Sequence, residues 1–149
     1  AEYYPWIDTS IKVDFDFAEG AYGPAEGTLT ANKDLDGFFA VWEFPALAIA
    51  DAARAAGIDP AKFVITTSDL SEGAALEMAS DQYIKGLGAQ DPFAQGIAEG
   101  VAAIKGFLGE ECPPFIAIPG YAVTKDNVLD AYKLILQKEP PAELKAFFK

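Results

Sequence analysis

Apolar and polar positions along the chain switch repeatedly between two periods. Residues 11–17 (IKVDFDF) alternate in period two, as a half-buried strand does. Residues 37–42 (GFFAVW), 63–67 (FVITT), 84–89 (IKGLGA) and 115–119 (FIAIP) are short apolar runs and predict four more strands. Helix-period segments separate them. A Gly- and Pro-bearing helix is expected over 24–32. An Ala-rich helix over 45–56 has Pro45 in its first turn and Gly57 just past its end. Residues 71–81 predict a helix with Ser71 as N-cap and Ala74, Ala75, Met78 and Ala79 as its apolar face. Pro92 opens a long Ala/Gly-rich helix over 92–108, which Gly109 ends. Residues 126–137 carry the stripe VLDAYKLIL, and a short helix near 142–148 closes the pattern.

Strand and helix alternating at these lengths imply right-handed βαβ units. The expected fold is therefore α/β: a three-layer, Rossmann-like or flavodoxin-like parallel sheet with helices on both faces. No repeat or linker divides the sequence, so residues 1–149 are expected to form a single lobe.

Composition narrows the function. Half of the 149 residues (51%) are hydrophobic, enough for one sizeable core. No apolar run reaches the roughly 18–20 residues of a membrane span, so no membrane insertion is expected. The first residues carry no signal-peptide pattern. Net charge is −12, from 11 basic and 23 acidic residues. Such a surface repels phosphate backbones and anionic lipids, which argues against nucleic-acid partners.

Cys112 is the single cysteine and there is no histidine. A disulfide within the chain, a Ser-His-Asp or Cys-His site and a closed zinc site are thereby excluded. Neither GxGxxG nor GxxxxGK[ST] occurs, and no cofactor is expected. Glu43 with Asp69 is the one carboxylate pair that could serve acid–base chemistry, so an enzyme is the least favoured reading.

Open parallel sheets bind ligands beyond the carboxyl ends of their strands. Those ends carry Phe17 to Tyr22, Trp42-Glu43, Ser68-Asp69 and Gln90-Asp91. The candidate ligand-binding residues are Tyr22, Trp42, Glu43, Asp69 and Gln90. Rings stack on the apolar face of a ligand while carboxylates and amides take its hydroxyls, a mixture suited to a neutral polyhydroxylated compound. Asp14, Asp16 and Glu19 form an acidic stretch. Asp14 and Asp16 alternate along a strand toward solvent, so no metal site is expected there.

Four segments carry a resemblance: GFFAVWEFPALAIADAARAAGI, FVITTSDLSEGAALEMASD, IKGLGAQDPFAQGIAEGVAAIKGFLG and PPFIAIPGYAVTKDNVLDAY. Together they resemble the second half of type I periplasmic sugar-binding proteins, with the "aQ.pyeqG" segment at Gln90–Gly96 and the "vtkdNv" hinge turn at 123–128. The resemblance implies one lobe of a clam-like protein that closes on a monosaccharide or polyol and delivers it to the membrane subunits of an ABC importer. It implies a periplasmic or cell-surface location, an acidic ligand residue at Asp69, a hinge glutamine at Gln90, stacking by Trp42 and an aromatic contact at Tyr22. It also implies that segment 92–120 crosses to a first lobe that this sequence lacks. That segment is then expected either to fold back onto its own sheet or to be covered by a second copy. The alternative role for the same fold is the effector lobe of a LacI-type, sugar-responsive repressor.

Overall fold

The computed structural model describes residues 4–149, except the side chains of residues 18 and 19. A 3-10 turn, Ala18–Ala21, leads into helix α1, Tyr22–Ala31. Strand β1 (Gly37–Phe39), helix α2 (Glu43–Ala55), strand β2 (Val64–Ser68), helix α3 (Glu72–Ala79) and strand β3 (Ile84–Ala89) follow in strict alternation. Helix α4 spans Pro92–Leu108. Strand β4 (Tyr121–Thr124) runs through a 3-10 turn into helix α5 (Val128–Leu136), and helix α6 spans Ala142–Ala146.

The four strands lie side by side in chain order. The first three are parallel, as βαβ units require, and β4 is antiparallel to β3. The α/β class stands as expected. Helices α2, α3 and α5 cover one face of the sheet where helices on both faces were expected, because successive crossovers of one hand in the order β1-β2-β3 fall on the same side. The direction of β4 departs from an all-parallel sheet.

Paired positions show where the core sits. Phe38, Ile65, Thr67, Ile84, Leu87 and Val123 face α2, α3 and α5, and all but the half-buried Phe38 are buried. The intervening positions Phe39, Val64, Thr66 and Thr124 face solvent. Phe63 anchors the packed side, edge-on to Phe38 at 6.1 Å and to Tyr83 at 6.4 Å between ring centroids. Gly37 allows β1 to lie against β2: a Cβ there would meet the Val64 carbonyl oxygen at 2.0 Å.

Two predicted strands are corrected. Residues 11–17 pair with nothing and form no strand. Their alternation survives as half-burial of Val13 and Phe15 between exposed neighbours. The period was real, but a strand also needs a partner edge. Asp14 and Asp16 are exposed as expected, while the side chain of Glu19 lies outside the described residues.

Residues 115–119 are likewise irregular, and the last sheet position goes to Tyr121–Thr124. The predicted strand over 37–42 stops at Phe39, because Trp42 is already the N-cap of α2.

Helix α4 is the outlier. It runs for 17 residues with none buried. Phe93, Ile97, Val101, Ile104 and Leu108 recur at helical spacing and are all exposed, as are Phe107 on the same helix and Phe115 in the segment after it. Segment 92–108 thus does not fold back onto the sheet. Among the described residues no helix is long and apolar enough to cross a membrane.

Candidate functional site

The carboxyl ends of the parallel strands open into a cleft of about 550 Å³ lined by Val41, Ser68, Asp69, Gln90, Tyr121 and neighbouring small residues. Local sequence sets each wall. After β2 the chain turns sharply at Asp69, whose backbone is left-handed at φ 66°. Aspartate is among the few non-glycine residues that enter this region readily. The Asp69 N–H still donates to the Gly88 carbonyl at 3.0 Å, which holds the turn against β3. Ser71 then caps α3, accepting from the Ala74 N–H at 3.3 Å.

After β3 the buried Asp91 caps α4, accepting from the Ala94 N–H at 2.9 Å, with Pro92 at the first helical position. Strand β4 closes the far wall, with Tyr121 paired to Ala89. The turn after it is fixed by Asn127, which accepts from the Thr124 N–H and donates to the Ala122 carbonyl, each at 2.9 Å.

The polar core of the cleft is a chain of three side chains. Gln90 Nε2 donates to Asp69 Oδ1 at 2.7 Å, and Gln95 Nε2 donates to Gln90 Oε1 at 3.1 Å. Asp69 and Gln90, predicted from different strand ends, are therefore brought into contact. Gln95 was not among the predicted residues. Its signal was an amide five positions after Gln90, which places it back over the strand end once α4 begins.

Trp42 caps the start of α2, and its ring lies 5.8 Å from that of Phe15, tilted by 51°. Phe15 is the second residue that the sequence reading missed. Its place in an alternating run marked it for a strand face, not for an aromatic pair. Tyr22 opens α1 and is packed against the buried core, away from the residues that line the cleft.

Glu43 begins α2 and is only 8% exposed. Burial pushes its carboxyl above the ordinary glutamate range. Its own backbone N–H opposes this, and the nearby Asp69 charge adds to it. Neither carboxylate forms a salt bridge with a basic side chain among the described residues.

A raised carboxyl pKa means that the folded state binds more protons than the unfolded state just above the ordinary glutamate pKa. Stability therefore falls as pH rises through that window. Glu43→Gln is expected to melt above the parent chain at pH 7, with the gap closing toward pH 4. Thermal melts across that range check this, and a gap of constant size would contradict it.

An α/β sheet with its cleft at the strand ends is a fold shared with part of several solved solute-binding proteins. The 5-methylthioribose transporter solute-binding protein of Thermotoga lettingae superposes with a TM-score of 0.77 at 17% identity, over 98% of this chain and 50% of that one. A solute-binding protein of Agrobacterium vitis bound to α-D-tagatopyranose gives 0.75 at 21% identity, over 88% and 43%. The Caulobacter myo-inositol-binding protein gives 0.70 at 19% identity, over 78% and 40%.

The likeness is one of fold, and the chain spans between 40% and 50% of the length of these three structures. All three are binding proteins. No protein-family model matches the chain, and no curated protein matches it.

Proposed function

We propose that this chain is the second lobe of a sugar- or polyol-binding protein that supplies an ABC importer from the periplasm or cell surface. The observation that carries this reading is the contact between Asp69 and Gln90 at the mouth of the sheet. A carboxylate and an amide side by side bind hydroxyls; the Phe15–Trp42 ring pair sits at the end of β1, outside the residues that line the cleft, and would reach a ligand only from its rim. The full protein would act by closing two lobes around the ligand, whose tighter binding to the closed form shifts the population. The uncovered apolar face of α4 fits a helix that packs on the other lobe.

A lone lobe supplies about half of the contacts. Titrated with myo-inositol, D-tagatose, D-arabinose and allitol, the 149-residue chain is expected to bind at about millimolar Kd or weaker. Amide shifts at Asp69, Gln90 and Trp42 report such weak binding. Submicromolar binding by this chain alone would sink the half-site reading. Unmoved cleft signals at saturating sugar would sink the sugar reading itself.

A further inference from the structure

We propose that Gln95 is a positioning residue: it fixes the side-chain amide of Gln90, and so makes the cleft select a ligand group that donates and accepts at once. The second half of this inference rests on the sugar-binding reading above.

The argument starts from donor and acceptor identities. Asp69 Oδ1 accepts from Gln90 Nε2, so the nitrogen end of the Gln90 amide faces the carboxylate. Gln95 then donates to the opposite end of the same amide, Gln90 Oε1. Turning Gln90 over would set oxygen against oxygen at Asp69, so Asp69 decides which end of the amide faces it; Gln95, whose own amide can present either end, answers with Nε2 and gives the Gln90 amide a second anchor.

The main chain under Gln95 is held in place: its backbone N–H donates to the Asp91 carbonyl at 3.0 Å in the first turn of α4, and Asp91 caps that turn through Ala94. The exposed Gln90 would otherwise sample several rotamers on the solvent side of the cleft.

Of the groups left unpaired on this edge, two adjoin the Gln90–Asp69 bond. Asp69 Oδ2 accepts no side-chain or backbone hydrogen bond among the described residues, and Gln90 retains one N–H. The edge therefore offers an acceptor beside a donor. A hydroxyl satisfies both. An ether or carbonyl oxygen leaves the carboxylate oxygen unmatched, and an ammonium group leaves the amide N–H unmatched. Fluorine in place of that hydroxyl fails in the same way as an ether oxygen. A mismatch beside a charged group is worth a factor of about 10 or more in affinity.

The test has two arms. The first needs no ligand: the side-chain amide of Gln90 is followed by ¹H–¹⁵N NMR in the parent chain, in Gln95→Met and in Gln95→Glu. The parent is expected to show slowed amide-proton exchange and shifts displaced from those of free glutamine. Gln95→Met keeps the side-chain volume but removes the donor, and is expected to return both toward free values at unchanged helix content. Gln95→Glu replaces a donor by an acceptor and is expected to move the signals in a different direction, because Gln90 must now offer Nε2 to two carboxylates. A parent Gln90 signal like that of free glutamine, or one indifferent to both variants, overturns the positioning role.

The second arm compares a sugar that moves the cleft signals with its monodeoxyfluoro analogues. One position is expected to lose about 10-fold in the parent and less than about 3-fold in Gln95→Met. Equal losses in both chains overturn the selection. If no sugar in the panel moves the signals, the functional reading fails and the hydroxyl selection with it. The ligand-free arm still decides what Gln95 does.

Discussion

Truncating Phe63 to alanine is expected to remove about 3–5 kcal/mol of folding stability and lower the melting temperature by roughly 6–20 °C. Phe63 is 1% exposed and stands at the centre of three rings, between Phe38 and Tyr83. The loss combines its transfer into water, the cavity left behind and two edge-on ring contacts, each worth about 0.5–1.5 kcal/mol beyond area. Tyr83 cannot move in to fill the space. Its hydroxyl donates to the Ile58 carbonyl at 2.7 Å, and the Arg54 guanidinium lies 5.5 Å from its ring centroid. Phe107→Ala is the matched control: the same atoms are removed from a side chain 91% exposed, and a change within about 0.5 kcal/mol is expected. Calorimetric melts of the two variants decide it. Similar losses in both would mean that the packed side of the sheet has been misassigned.

The second large effect concerns binding. Asp69→Asn is expected to weaken sugar binding by about 10- to 100-fold, the weight of a hydrogen bond to a charged group. In the isolated lobe this reads as loss of the saturable shifts at Gln90 and Trp42. Stability is expected to hold, because asparagine also tolerates the left-handed backbone found at position 69. The split between binding and melting temperature is the informative part. Equal sugar response in both chains would remove Asp69 from the ligand site. A collapse of melting temperature would make it a turn residue instead.

Much of the fold was legible where the chain carries its own punctuation. Pro92 and Gly109 bound α4 where the sequence places them, Ser71 caps α3, and Ile84–Ala89 is β3 residue for residue. These signals are local: a fixed proline φ, a left-handed glycine at φ 70°, a hydroxyl facing a free N–H.

What failed depended on distant partners. Residues 11–17 alternate as well as any strand in the chain, yet no edge receives them. Residues 115–119 and Tyr121–Thr124 are equally short and apolar. The choice between them lies with the pairing of β4 to β3, which no local pattern states. At the candidate site, strand-end logic placed Asp69 and Gln90 at the cleft, since both follow a legible strand. It did not foresee their contact with Gln95, an amide on a helix that turns back over the strand, or the pairing of Phe15 with Trp42, 27 positions away.

The pairing of Ala89 with Tyr121 has a topological consequence. Everything between them, α4 included, is tied off at a neck one strand spacing wide. Closing such a loop of about thirty residues costs on the order of 3 kcal/mol in chain entropy, and the cost grows only logarithmically with length. Past the first turn of α4, which carries Gln90's partners, the excursion could therefore be lengthened or shortened at little entropic cost while the sheet beneath it kept its register. The lobe behaves as a socket with an interchangeable arm, and the neck of that arm lies beside Gln90.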